Sequence, residues 1–148
     1  MPVPVALPDL SSRPLHLRVE RYMTSPPARL FRAWTEEFDH WFAAPGTVLM
    51  KAEVNTAFFF ETNSRGERHA HYGRFIRLEQ DRVVEMTWIT ASTKGAETVV
   101  RVVLEPSVGG TLLQLAHSGF PDEESRKRHE DAWSHVLAKL DERMAPHK

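Results

Sequence analysis

Apolar and polar residues alternate from Leu15 to Tyr22, with Leu15, Leu17 and Val19 on one side, which predicts a strand with one buried face. Ser25-Pro26-Pro27 ends it and starts a helix, with Ser25 as cap and Pro26 at the first helical position. Leu30, Phe31 and Trp34 share a face of that helix, and Thr35 reads as the cap of a second short one over Glu36 to Phe42, ending before Pro45-Gly46. Strand patterns follow over Val48–Val54, Ala57–Thr62, Arg68–Leu78, Val83–Ile89, Thr98–Leu104 and Thr111–His117. Turn residues at Asn55-Thr56, Asn63 to Glu67, Glu79 to Asp81, Lys94-Gly95 and Gly109-Gly110 separate them. Gly73 interrupts the longest of these strands, where a kink or bulge is expected.

The last pattern is helical. Trp133, Val136, Leu137, Leu140 and Met144 form one apolar stripe. Asp122 caps the start, Glu123 and Glu124 occupy the first turn, and Lys139 and Arg143 lie near the end, as the helix dipole favours. Such a helix is about 33 Å long and needs a long apolar surface beneath it. The chain therefore predicts an α+β fold. A curved antiparallel sheet of about six or seven strands wraps around the long C-terminal helix, with two short helices between the first strands and a hollow between helix and sheet. Residues 1–14, rich in proline, read as an irregular arm, and 15–146 as a single domain.

Composition narrows the classes. Nineteen basic and twenty acidic residues leave a net charge of −1 over 148 residues, which argues against nucleic acid or an anionic membrane as partner. The run Arg126-Lys127-Arg128 reads as a solvated helix face. The chain has no cysteine, so disulfides and thiol catalysis are excluded. Its prolines break any apolar signal core near the start, and no apolar run spans a bilayer, so a cytoplasmic protein is expected.

Several stretches resemble a known family in order and spacing. They are Ser25 to Trp34, Trp41-Phe42, Gly73 to Leu78, Arg82 to Trp88, Gly110 to His117, and Ala132-Trp133. Together they resemble the SRPBCC superfamily, the helix-grip fold of START domains and Bet v pollen allergens, and within it the bacterial homologues of heat-shock protein 90 ATPase activators. The resemblance implies a pocket for a small apolar molecule, or docking to a chaperone. Two positions depart from it: Asn55-Thr56 replaces the usual Gly-Gly, and Ala132 replaces a glycine, which would bring a methyl toward the sheet.

The candidate chemistry lies in aromatic and histidine residues. The expected cavity lining is Trp34, Trp41, Phe58, Phe60, Tyr72, Arg74, Phe75, Met86, Trp88, Val100, Leu115, His117, Trp133 and Leu137. Apolar walls with a few polar groups suit a small ligand, and the same aromatics also suit a filled core. His69 and His71 project from one strand face and His117 from another, but nothing completes a metal-binding set, and neither metal nor cofactor is expected. A bulge near Gly73 would turn Arg74 inward, toward Glu61 or a ligand carboxylate.

Three functions follow. The first is a binding protein for a small hydrophobic or amphipathic ligand. The second is a cochaperone-like interaction module, docking through outer sheet residues Arg101, Glu105 and Gln114. The third is a cyclase, dehydratase or hydrolase using His117, whose pKa near neutrality suits acid–base work, with Arg74 or Tyr72 polarising the substrate. A homodimer is the oligomer entertained.

Overall fold

The computed structural model describes residues 5–145. Six strands form one antiparallel sheet: β1 (Leu15–Met23), β2 (Ala57–Ser64), β3 (Glu67–Glu79), β4 (Val83–Trp88), β5 (Thr98–Ser107) and β6 (Gly110–Phe120). Their spatial order is β1-β6-β5-β4-β3-β2, so only the link from β1 to β2 crosses over. That link carries α1 (Pro27–Thr35) and a single 3-10 turn at Phe38–His40, and the long helix α2 (Glu123–Met144) ends the described chain.

Alternation sets the inner face. Val84, Met86 and Trp88 on β4, Val100, Val102 and Leu104 on β5, and Leu113, Leu115 and His117 on β6 are all buried. Trp133, Leu137, Leu140 and Met144 of α2 are buried against that side. The space between is packed with rings. Trp41, Phe38, Phe60 and His71 stack face to face in one column, with centroids 5.2, 4.9 and 4.6 Å apart. Trp34 is fully buried beside it, its indole N–H without an oxygen or nitrogen acceptor among the described residues.

The sheet bends at β3. Its first half pairs with β2 through Arg74 and its second with β4 from Phe75, with a register break between Phe75 and Arg77. Gly73 permits the bend because a Cβ there would overlap the Thr87 carbonyl oxygen and stand 2.5 Å from Phe58 Cζ. Both ends of α2 are latched. The Ser125 hydroxyl donates to Ser92 O at 2.6 Å, and the Ser25 hydroxyl donates to Met144 O at 2.6 Å. Asp141 Oδ1 accepts both the backbone N–H and the hydroxyl of Thr24, each at 2.9 Å.

Several expectations need correction. Val48–Val54 is not a strand: Leu49 alone bridges to Phe59, and the chain then turns tightly, Glu53 N–H bonding Lys51 O at 2.7 Å, so it leaves the β2 edge. Asn55 replaces glycine by adopting a left-handed conformation (φ 66°). Helix α1 begins one residue late, with Pro27 first and Pro26 extended before it, and Ser25 serves the far end of α2 instead of capping. Thr35 is no cap either: it closes α1, its hydroxyl donating back to Phe31 O at 2.8 Å. The expected second helix shrinks to the 3-10 turn. Of the arm, residues 5–14 hold neither helix nor strand, residues 1–4 lie outside the described part, and so does position 146. Among the described residues no helix is long and apolar enough to cross a membrane.

Candidate functional site

An open cleft of about 290 Å³ lies at one end of the helix–sheet interface. Its floor is Trp88 and Trp133, and Phe42 and Val136 close two sides. His69, His71 and Thr62 come from the β2–β3 hairpin, Thr90, Ala91 and Ser92 from the turn after β4, and His129 and Ala132 from the first half of α2. The turn after β4 is held by reciprocal bonds: Thr93 N–H to Thr90 Oγ1 at 3.2 Å and Thr90 N–H to Thr93 Oγ1 at 3.0 Å. The lining holds no Lys, Arg, Asp or Glu.

Hydrogen-bond partners decide the histidine tautomers. His71 Nδ1 lies 3.1 Å from the His69 carbonyl and His129 Nδ1 lies 2.7 Å from the Ser125 carbonyl. A carbonyl only accepts, so both Nδ1 atoms carry the proton and both Nε2 atoms hold a lone pair. Burial pushes the His71 pKa down to about 4, with the neighbouring His69 and His129 adding to the effect against the His69 carbonyl's opposing pull. Burial also lowers that of His129. Both rings are therefore neutral near pH 7.

His117 lies behind the cleft floor and does not line it. The Thr98 hydroxyl donates to Trp88 O at 2.6 Å, so its oxygen accepts from His117 Nε2–H at 2.7 Å, while Trp133 Nε1–H donates to His117 Nδ1 at 3.0 Å. Both ring nitrogens are engaged. The ring is fully buried, and burial holds its pKa well below the ordinary value. Such an imidazole orders a core and has no free edge for a substrate.

Of the expected lining residues, the structure brings only Trp88 and Trp133 to the cleft. Trp34, Trp41, Phe58, Phe60, Phe75, Met86, Val100, Leu115 and Leu137 are packed in the core beside it. Tyr72 is 51% exposed and packs against Phe59 with the two rings tilted by 55°. Arg74 is directed outward, its guanidinium bonding Ala6 O in the arm and reaching Asn55 Oδ1 at 3.5 Å. The bulge that was to turn Arg74 inward falls beyond it, and Glu61 pairs with Arg68 at 2.9 Å instead. Ala132 is exposed at the mouth, so its methyl narrows the entrance and does not press on the sheet. Among the described residues no three His, Cys, Asp or Glu side chains come together to hold a metal ion.

The sequence pattern of the activator of Hsp90 ATPase homolog 1-like proteins matches residues 24–145. The chain belongs to that family. Membership supports a ligand-binding or cochaperone-like module without deciding between them. No curated protein matches the chain. Solved structures share its fold. Protein CV1439 from Chromobacterium violaceum is 24% identical, with a TM-score of 0.78 over 90% of this chain and 100% of its own. The AHSA1 protein SPO3351 from Silicibacter pomeroyi is 25% identical, with a TM-score of 0.74 over 86% of this chain and 95% of its own. Mll3558 from Rhizobium loti is 20% identical, with a TM-score of 0.74 over 87% of this chain and 96% of its own.

Proposed function

We propose that this protein binds a small amphipathic molecule in the cleft between α2 and the β2–β3 hairpin. The carrying observation is an uncharged recess of about 290 Å³ walled by Phe42, Trp88, Trp133 and Val136 and edged with imidazole and hydroxyl groups. Apolar walls supply affinity and a few polar groups set orientation. A dry engineered cavity of about 150 Å³ holds benzene, so this recess has room for one or two fused rings.

The histidine expected to serve as acid or base is buried in the core with both ring nitrogens engaged, which weighs against cyclase, dehydratase or hydrolase chemistry through it. A cochaperone-like role has one observation in its favour. Leu49 and Tyr72, 69% and 51% exposed, flank Phe59 on the outer side of the hairpin and form an apolar surface there.

Native mass spectrometry of protein purified from its own host tests the cleft reading, with Ala132→Trp as the comparison. Ala132 is exposed at the mouth, so the larger ring fills the recess without disturbing the core. A bound small molecule present in the parent and absent from A132W is expected. A molecule retained equally by both would place the site elsewhere.

A further inference from the structure

The polar edge of the cleft is one-sided, and this selects among ligands. Resting on the proposed cleft, we infer that its ligand is an uncharged ring compound that presents hydroxyl or N–H donors to His71 Nε2 and His129 Nε2, and that carboxylates are rejected.

Three observations converge. The first is tautomeric. Each imidazole spends its Nδ1–H on a main-chain carbonyl, His69 O or Ser125 O, so each has only an acceptor left. Neither Nε2 has a protein partner among the described residues, and neither is sealed from solvent, so in the open cleft both face water. A ligand that displaces that water without a donor leaves the acceptor unmatched, which is costly, so one that brings donors is favoured. The second is charge. With no Lys or Arg in the lining, a carboxylate would lose its hydration with no counter-charge and would point lone pairs at lone pairs. An ammonium finds no carboxylate there either. The third is shape. His71 ends the column that runs through Phe60 and Phe38 to Trp41, and it meets Trp88 edge-on at 5.2 Å. Its ring plane is thereby fixed, and the direction of its Nε2 lone pair with it. His129 is wedged in the same way between Phe120 at 5.0 Å and His117 at 4.9 Å. The two acceptors are preorganised, which restricts the positions at which a ligand's donors are useful.

Thr62, Thr90 and Ser92 add hydroxyls at the rim. A hydroxyl rotates to donate or accept, so these adapt to a ligand and do not discriminate. Discrimination rests on the two imidazoles.

The test uses matched fragments followed by ligand-observed NMR at pH 7.5. Resorcinol and indole carry donors; 1,3-dimethoxybenzene and N-methylindole keep the rings and lose the donors; benzoate carries the charge. The donor-bearing fragments are expected to bind roughly three- to tenfold more tightly than their methylated counterparts, with benzoate weakest. In His71→Phe and His129→Phe, which keep a planar ring, that preference is expected to shrink or vanish while the methylated fragments bind as before. Equal binding of both members of each pair, or benzoate binding best, would overturn the inference and leave the cleft reading intact. Binding by no fragment, with A132W giving the same spectra as the parent, would remove the cleft as a site and this inference with it. If either histidine variant does not fold, the ranking in the parent protein alone still decides the matter.

Discussion

The indole N–H of Trp133 donates to His117 Nδ1 across 3.0 Å and so ties α2 to the middle of β6. The bond continues through His117 Nε2–H to Thr98 and from the Thr98 hydroxyl to the Trp88 carbonyl, linking α2, β6, β5 and β4. Removing one member leaves a buried polar atom unpaired, which costs about 1–3 kcal/mol. Trp133→Phe is expected to lower unfolding free energy by that amount in urea titrations. His117→Leu is likewise expected to reduce stability and, because His117 holds Trp133 and packs against His129, to weaken a cleft ligand modestly without changing the pH dependence of its binding. An altered pH dependence at equal folded fraction would return His117 to the binding site.

Acid should weaken the fold through buried histidines. His71 is held to about 4, against 6.5 for an ordinary imidazole, chiefly by burial. His117 and His129 are lowered too, by burial first and then by positive neighbours. A depressed value means that the unfolded chain takes up protons before the folded one as pH falls. Stability from these groups is therefore complete above pH 6.5 and erodes as the pH falls below it, for His71 down to about 4, and is not recovered below. For His71 alone the difference corresponds to on the order of 3 kcal/mol. Chemical denaturation at pH 7.5 and pH 4.5 is expected to show a clear loss at the lower pH, smaller in His71→Phe. An unchanged midpoint would mean that the three imidazoles are hydrated in solution.

The cleft was harder to read from the chain than the sheet, for identifiable reasons. Strand alternation puts Val84, Met86 and Trp88 on one side whatever lies opposite them, and that face is indeed buried. Alternation also places His69 and His71 together, but whether a face meets core or a recess depends on which distant segment covers it. Here the cover is Phe42 and the turn at Thr90, brought in by the crossover link and the β4–β5 connection. Tyr72 has the opposite parity to His71, and the register break falls after Arg74, between Phe75 and Arg77, so it leaves the Arg74 side chain outside. His129 could have been found. It lies one helical turn before Trp133 and continues the buried stripe, but it sits in a charged run that reads as solvated. The strand expected at Val48–Val54 fails because the chain meets the open edge of β2 only at Leu49 and then turns away through the Glu53 N–H to Lys51 O bond, a turn its apolar pattern does not announce.

Gly73 is a steric requirement of the bent strand. A methyl group at that position meets the Thr87 carbonyl oxygen on one side and the Phe58 ring on the other, and neither is the free end of a flexible chain. Gly73→Ala is expected to cost about 1–3 kcal/mol as an overpacked site. Because the Phe58 ring stacks 6.1 Å from Phe60, the strain is passed into the column that orients His71. Thermal unfolding gives the first effect. The second should appear as a shifted His71 side-chain resonance, whereas a shift confined to β3 and β4 would show that the column absorbs the strain.

The two latches of α2 should separate stability from binding. At the N-terminal end Asp122 Oδ1 accepts Ser125 N–H at 2.9 Å, and Ser125 holds the cleft rim through Ser92 O. At the other end Asp141 holds Thr24, remote from every cleft residue. Asp122→Ala removes the side-chain cap of α2, and Asp141→Ala leaves two donors to find water, a loss of similar size. Global stability should fall comparably in both. Only the first loosens the turn that carries Thr90, Ala91 and Ser92, so hydrogen exchange should quicken there in D122A and around Thr24 in D141A. Cleft affinity should drop in D122A alone. Equal loss of affinity in both variants would mean that α2 moves as one rigid body and that its ends are not independent.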